Sequence, residues 1–344
     1  MRVLVADDSP TARQLIVELL RSDPELVVVG EAADGTQAVA MTRALKPDVI
    51  TMDLSMPGVD GFEATRQIMA ERATPIVIVS ASVRTSEVEI SMRALGVGAL
   101  TVIAKPPGPQ AENFELLARR FVNTVKSMSQ VKVVRRWDHS ERRPPSPARR
   151  PTVRRARVVA MAASTGGPAV LARILSELPA GFSLPILVVQ HISPGFTEGF
   201  AAWLNTVGCL SVAPAVAGES LRAGQVYIAA EGFHLGVAPN LTIQLDPSPL
   251  IQGFRPSANY LFHSVAQVFG RSVVAVILTG MGRDGVEGLR SVREAGGTIL
   301  AQDESSSVVF GMPGAALKEG LVDDSLNPAG LARRLRMMLE GEQR

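Results

Sequence analysis

A single cysteine, Cys209, stands among 344 residues. No intrachain disulfide framework can form, and the chain suits a reducing compartment. Cys209 has no basic neighbour in sequence, so it reads as a buried small hydrophobe rather than an activated thiol. Histidine is scarce as well, with four in the chain, and no zinc-finger spacing exists. Nor does any apolar run approach the roughly 18 residues of a membrane span, so no membrane insertion is expected. The first ten residues lack the layout of a leader peptide and run straight into a strand pattern, so a cytoplasmic location is expected. What is plentiful is ordinary: 46% hydrophobic residues at this length make about two globular domains with proper cores.

Net charge is low, at +2, but unevenly spread. Residues 132–157 hold ten lysines or arginines against two acids, so the rest of the chain is net acidic. Within that segment, Arg142-Arg143-Pro144-Pro145-Ser146-Pro147 cannot pack into a core and reads as an exposed tether. The division is therefore 1–127 for a first domain, 128–156 for the linker and 157–344 for a second domain. Charge alone would allow the linker to touch nucleic acid or an acidic protein surface. No helix-turn-helix or aromatic platform accompanies it, so nucleic acid is not expected as a partner. Trp137 and His139 fall in the linker without an assigned role.

The first domain alternates short apolar strands with helical patterns, as in a parallel α/β sheet. Strands are predicted at Arg2–Ala6, Leu26–Gly30, Val49–Asp53, Ile76–Ser80 and Leu100–Ala104, with helices near Thr11–Arg21, Thr36–Leu45, Gly61–Glu71, Ser86–Leu95 and Asn113–Ser127. Polar residues gather at the strand ends: Asp7 and Asp8, Asp53, Ser80 and Lys105. Ligands of open α/β sheets bind at that edge. Clustered carboxylates there repel one another unless a hard cation such as Mg²⁺ sits among them, and a lysine and a hydroxyl beside it can grip an anionic group.

Val5-Ala6-Asp7-Asp8-Ser9, Met52-Asp53-Leu54-Ser55-Met56-Pro57-Gly58, Asp60-Gly61 and Lys105-Pro106 resemble, in order, the motifs of two-component receiver domains. That resemblance implies a (βα)5 fold with Asp53 as phosphoacceptor. It implies Mg²⁺ on Asp8, Asp53 and the Ser55 carbonyl with Asp7 in support, and Ser80 and Lys105 on the phosphoryl oxygens. Receivers usually carry a switch aromatic three residues before the lysine, where this chain has Val102. Aromatic rotation is thus excluded from the switch.

In the second domain the predicted strands are Val158–Ala163, Ile186–Gln190, Val226–Ala229, Val273–Thr279 and Thr298–Gln302, with Leu235–Val237 and Leu241–Leu245 forming an added hairpin. Helical patterns lie near Ala169–Leu178, Gly199–Thr206, Tyr260–Phe269, Val286–Ala295 and Leu331–Leu339. This is a doubly wound, mainly parallel α/β domain. Ser164, His191 and Asp284 follow three of its strands, whose ends share one edge. A serine hydroxyl needs an imidazole to take its proton and a carboxylate to hold that imidazole, and these are the residue types present. Ser164-Thr165-Gly166-Gly167-Pro168 opens a helix, which also suits a simple cap. Backbone N–H groups of Thr165, Met281 and Gly282 are candidates for an oxyanion and substrate loop. His234 opens the hairpin and His263 lies on a helical pattern, which makes both weaker candidates.

Ala163-Ser164-Thr165-Gly166-Gly167, Gln190-His191-Ile192, Phe196 to Leu204, Gly224-Gln225-Val226-Tyr227-Ile228-Ala229, Arg255-Pro256-Ser257, Leu278 to Gly285 and Val308-Val309-Phe310-Gly311-Met312-Pro313 resemble the CheB family of chemoreceptor protein-glutamate methylesterases. With the receiver in front, the resemblance covers nearly everything but the linker. It implies the triad Ser164, His191 and Asp284, hydrolysis of γ-glutamyl methyl esters and deamidation of receptor glutamines, with no cofactor for the esterase. It also implies methyl-accepting chemoreceptors as substrates, a CheA-type histidine kinase as phosphodonor, and a receiver that covers the esterase mouth until Asp53 is phosphorylated. Where that family often has His-Arg-Pro-Ser then Val-Asp, this chain has Phe254-Arg255-Pro256-Ser257-Ala258-Asn259. Asn259 is expected to leave the triad alone and to alter substrate-loop contacts. With Val102 and the arginine-rich linker, it points to an altered switch or a non-flagellar chemosensory system. The competing reading is a non-catalytic response regulator that controls partner binding. The intact serine, histidine and aspartate argue against it.

Overall fold

The computed structural model describes residues 1–80, 85–131 and 156–340. Most of the predicted linker, with Trp137 and His139, lies outside the described residues. The chain divides into two compact units, Met1–His139 and Ser140–Arg344. No helix among the described residues is long and apolar enough to cross a membrane.

The first unit runs β1 (Arg2–Ala6), α1 (Pro10–Arg21), β2 (Val27–Ala32), α2 (Gly35–Leu45), β3 (Val49–Met52), α3 (Gly61–Glu71), β4 (Ile76–Ser80), α4 (Thr85–Gly96), β5 (Thr101–Ala104) and α5 (Phe114–Ser129). Its strands form one five-stranded sheet in the order β2-β1-β3-β4-β5, and every pairing is parallel. β3 and β4 are buried along their whole length because helices cover both faces of such a sheet. Side-chain caps start the helices sharply. Asp34 Oδ1 accepts from Gln37 N at 2.8 Å, and Asp60 Oδ1 accepts from Glu63 N at 2.7 Å. The strand order reverses direction between β1 and β3, which opens a crevice at their C-terminal ends.

The second unit continues with β6 (Val158–Ala163), α6 (Gly167–Glu177), β7 (Ile186–Gln190), α7 (Thr197–Val207), β8 (Ser211–Pro214), β9 (Gln225–Ile228), β10 (His234–Val237) and β11 (Ile243–Asp246). Then come α8 (Ala258–Phe269), β12 (Val273–Ile277), α9 (Val286–Glu294), β13 (Thr298–Gln302), α10 (Met312–Lys318), β14 (Asp324–Leu326) and α11 (Pro328–Glu340). Seven strands pair in the order β14-β13-β12-β6-β7-β9-β8, all parallel. β10 and β11 form the separate antiparallel hairpin. The chain starts at the central β6, winds out to β8, and returns to β12 on the other side of β6, so its crevice lies between β6 and β12. One buried cluster joins Leu261, Phe262 and Val265 of α8 and Val286, Leu289 and Val292 of α9 to Ala160, Ala162, Ala275 and Ile277 of the sheet. Burying each large side chain contributes about 1.5–3 kcal/mol, and the shared cluster fixes the two helix N-termini side by side.

The elements not foreseen are β8, β14 and α10. The two strands are short edges, each paired on one side only, and α10 carries Pro313 and Gly314 within one short helix, which hides its period.

Gly61 is required by close approach. A Cβ there would lie 1.8 Å from the Asp53 carbonyl oxygen. Gly61→Ala is expected to displace the Asp53 loop and to destabilise the first unit by about 1–3 kcal/mol, measured by denaturant unfolding of the full chain. Unchanged stability would show that the loop yields freely.

Candidate functional site

β1 and β3 deliver Asp7, Asp8 and Asp53 to the crevice of the first unit. Asp7 and Asp53 are buried and Asp8 is exposed. Each offers a carboxylate oxygen, and these oxygens lie within 4.8 Å of one another. Lys105, from the end of β5, reaches both buried acids, with Nζ 2.8 Å from Asp7 Oδ2 and 2.8 Å from Asp53 Oδ2. One cation against three carboxylates leaves the cluster net negative, and an all-oxygen donor set of this kind fits a hard divalent ion such as Mg²⁺. Burial pushes the Asp7 carboxyl above the ordinary aspartate value, against the hydrogen bond from Lys105. Burial also opposes the charge on Lys105, but its hydrogen bonds to Asp53 and Asp7 outweigh that and raise its pKa. Ser80 is buried at the end of β4, and its carbonyl accepts from Lys105 N at 2.8 Å. Ser55 N donates to Asp53 Oδ1 at 3.4 Å. The sequence-predicted residues therefore share one crevice. Val102 is buried in β5.

In the second unit β6 lies between β12 and β7, so the turns after these strands meet. Ala163 pairs with Gln190, and one register step further stand Ser164 and His191. His191 N donates to Ala163 O at 2.9 Å, and Ser164 N donates to Thr279 O at 3.0 Å. Gln190 ties the two turns together: its Nε2 donates to Ser164 O at 2.9 Å and to His191 O at 2.8 Å. A Cβ on Gly167 would lie 2.2 Å from Gln190 Oε1, which is why glycine is needed after the serine. His191 Nε2 is 3.0 Å from Asp284 Oδ2. An ionised carboxylate only accepts, so Nε2 carries the hydrogen. Nδ1 is buried and has no hydrogen-bond partner among the described residues. Ser164 Oγ forms no hydrogen bond to His191 here; such contacts are often looser before substrate binds.

Asp284 is 1% exposed, and its charge is met at the N-terminus of α8. Ser257 Oγ donates to Oδ1 at 2.8 Å, Ala258 N to Oδ2 at 2.7 Å and Asn259 N to Oδ1 at 3.2 Å. A helix N-terminus is a natural seat for an anion. Burial would raise the Asp284 pKa, but the bonds from His191, Ala258 and Ser257 outweigh it and hold the carboxyl below the ordinary aspartate value. The asparagine side chain returns the contact, since Asn259 Oδ1 accepts from Gly285 N at 3.0 Å and Gly288 N at 3.0 Å. The expectation that Asn259 stands apart from the triad is therefore corrected. It occupies the first turn of α8 rather than a loop, and it clamps the segment that carries Asp284. Beneath it, fully buried His234 accepts from Ser257 N through Nδ1 at 3.2 Å, and its Nε2 lies 3.1 Å from Pro249 O.

Of the candidate oxyanion donors, Thr165, Met281 and Gly282 have no backbone N–H acceptor among the described residues. Thr165 is buried, Met281 is 47% exposed, and Gly282 adopts φ +85°. His263 lies on α8 against Ser291 and Gln267, away from the triad. Cys209 is exposed, contrary to the expected burial, because α7 ends at Val207 and the cysteine falls in the bend before β8. Gln190 and Ser257 have no role in the sequence reading, and His234, a weaker candidate there, stands behind Ser257 rather than against His191 or Asp284. Ser257 alone carried a local signal, as a cap-type residue before an apolar helix.

The lowered pKa fixes the sign of a pH test. Ionised Asp284 stabilises the fold above the unfolded aspartate value of 3.8, and that contribution is lost as pH falls through the lower folded value. Ser257→Ala removes a donor to the carboxylate. It is expected to cost about 1.5–3 kcal/mol at neutral pH, with the loss shrinking as the acid is protonated. Unfolding measured from neutral to acid pH checks this; a loss independent of pH would contradict it.

Comparison with known proteins agrees with these geometries. Residues 159–335 match the family described as CheB methylesterase, and residues 3–112 match the response regulator receiver domain. A protein-glutamate methylesterase/protein-glutamine glutaminase of Myxococcus xanthus is 51% identical over 346 residues, covering 99% of this chain and 98% of its own. One from Anaeromyxobacter dehalogenans is 53% identical over 341 residues, covering 98% of this chain and 99% of its own. Among solved structures, the Thermotoga maritima CheB methylesterase catalytic domain superimposes with a TM-score of 0.51 at 40% identity, covering 52% of this chain and 97% of that one. A receiver-type crevice, a second crevice holding serine, histidine and aspartate, and relatives alike along the whole length together make this chain a member of the CheB methylesterase family, in its receiver-linked form.

Proposed function

We propose that this chain is a phosphorylation-activated protein-glutamate methylesterase that also deamidates glutamine side chains of chemoreceptors. The observation that carries this reading is the contact of His191 with buried Asp284 at 3.0 Å, one register step across from Ser164. The reading of a non-catalytic regulator leaves that pair without a use.

Ser164 Oγ attacks the γ-carbonyl carbon of a glutamyl methyl ester while His191 takes the serine proton. Because Nε2 is engaged by Asp284, Nδ1 is the nitrogen that acts as base. Asp284 orients the ring and stabilises the imidazolium as it forms. The tetrahedral oxyanion is held by N–H groups from Thr165, Met281 and Gly282, whose lack of other acceptors supports this role. Collapse breaks the ester C–O bond, and the imidazolium proton leaves with methanol. Water, deprotonated by His191, then splits the acyl-enzyme to glutamate. With glutamine the same steps release ammonia. Serine, base and carboxylate account for the acyl transfer, so no cofactor is proposed for it.

In the first unit Asp53 is the phosphoacceptor. Asp8, Asp53 and the Ser55 carbonyl would hold Mg²⁺, with Asp7 supporting, and the ion supplies positive charge against the carboxylates and the incoming phosphoryl group. Lys105 exchanges a carboxylate contact for a phosphoryl oxygen, and Ser80 offers its hydroxyl. With valine at 102, the signal travels without aromatic rotation. The phosphodonor is proposed to be a CheA-type histidine kinase, the substrates methyl-accepting chemoreceptors, and the place of action the cytoplasm. The unphosphorylated receiver is proposed to occlude the esterase.

Methanol release from a methylated receptor fragment tests the proposal, with and without a small phosphodonor plus Mg²⁺. Ser164→Ala is expected to lose about four orders of magnitude in rate or more. The phosphodonor should accelerate the unsubstituted protein and leave Asp53→Asn unchanged, and removal of residues 1–150 should raise basal release. Retention of most activity in Ser164→Ala would overturn the esterase assignment. Stimulation that survives Asp53→Asn would overturn the assigned phosphoacceptor.

A further inference from the structure

One aromatic ring touches the proposed base and has no part in the mechanism above. Phe254 stacks on His191 with ring centroids 4.1 Å apart and planes 9° from parallel. We propose that Phe254 is a positioning residue for His191, holding the imidazole plane and stabilising the imidazolium that forms as Ser164 attacks; this rests on the esterase reading above.

The ring of His191 is anchored in its own plane at one atom only. Nε2 is bound to Asp284 at 3.0 Å, and Nδ1 has no hydrogen-bond partner among the described residues. A single hydrogen bond lets a ring tilt about its axis and carry Nδ1 away from the serine. A near-parallel neighbour at 4.1 Å blocks that tilt on one face and excludes water from it. The contact also changes strength along the reaction. A neutral imidazole gains ordinary stacking, whereas a cation within about 6 Å of an aromatic face is drawn to its negative quadrupole. The gain therefore grows as the proton arrives, and an interaction stronger in the transition state than in the ground state raises kcat rather than tightening substrate binding.

The way Phe254 is presented supports the assignment. Ile251 and Phe254 exchange reciprocal backbone hydrogen bonds of 3.0 Å each. Between them Gln252 (φ 50°) and Gly253 (φ 87°) both have positive φ, as a tight type I′ turn requires. Arg255 Nη1 then pins the strap, donating to Pro247 O at 2.8 Å and Ser248 O at 3.0 Å. Three and four residues beyond Phe254, Ser257 and Ala258 bind Asp284. One short segment thus grips both members of the pair, the histidine by its face and the aspartate by its oxygens. Phe254 itself is only half-buried and lies outside the buried cluster of its unit, so the ring is not spent on the core.

The test compares Phe254→Leu, Phe254→Tyr and Phe254→Trp in the full chain, by kcat and KM for methanol release from a methylated receptor fragment with phosphodonor and Mg²⁺. Thermal unfolding of each is followed in parallel, with Ser164→Ala as the blank. Phe254→Leu is expected to lower kcat roughly 2- to 30-fold with KM nearly unchanged, and Phe254→Tyr and Phe254→Trp to restore kcat. A kcat in Phe254→Leu equal to that of the unsubstituted protein would overturn the proposal, as would Tyr and Trp variants as slow as Leu. If Phe254→Leu unfolds early, the Trp variant decides: a kcat near that of the unsubstituted protein supports the proposal, and a kcat lowered at unchanged stability overturns it. An unsubstituted protein without Ser164-dependent release overturns the esterase reading and this inference with it, whereas a normal unsubstituted protein beside indifferent variants overturns this inference alone.

Discussion

A carboxylate taken fully out of water costs several kcal/mol unless donors surround it, and Asp284 is 1% exposed. Its donors come from the first turn of α8, from the Ser257 hydroxyl and from His191. Much of the second unit follows from meeting that requirement. α8 must aim its N-terminus at the loop after β12, so α8 and α9 pack against each other and share one apolar cluster. Asn259 bridges back to Gly285 and Gly288, which locks the loop to the helix. His234, without touching the triad, holds the backbone of the cap residue Ser257. The charge that fixes His191 is thus itself fixed by a helix end, a side-chain clamp and a buried imidazole.

Both units place their chemistry by the same topological device. In each, a parallel sheet is wound outward from a central strand in two directions, and the crevice opens where the winding reverses. In the first unit that point lies between β1 and β3, and it collects Asp7, Asp8 and Asp53. In the second it lies between β6 and β12, and it collects Ser164 and Asp284, with His191 on the next strand out. The chemical difference lies in the residues supplied. Carboxylates and a lysine suit a cation and a phosphoryl group, whereas a hydroxyl, an imidazole and one buried acid suit acyl transfer.

The long buried strands and the polar residues that end them were legible in the sequence, because apolar runs such as Val158–Ala163 and Ile186–Gln190 are continuous and each stops at a polar side chain. The edge strands β8 and β14 were not, since a strand paired on one side needs no continuous apolar run. Cys209 was misjudged because its residue type favours burial while its bend does not. The support around the triad was hidden for a different reason. Ser257 and Asn259 reach Asp284 across 27 and 25 positions, and Gln190 reaches Ser164 across 26. Hydrogen bonds over such separations leave no periodic trace; the packing of α8 against α9 creates the first two and the pairing of β6 with β7 the third.

In the proposed mechanism Asp284 holds His191 through Nε2 and leaves Nδ1 as the base. Nitrogen NMR of histidine-labelled protein tests it directly, with the His191 signals assigned by their loss in His191→Gln. The neutral imidazole is expected to carry its hydrogen on Nε2 and to be bare at Nδ1. A resting imidazole protonated at Nδ1 would contradict it, because the serine would then face a nitrogen that cannot accept its proton.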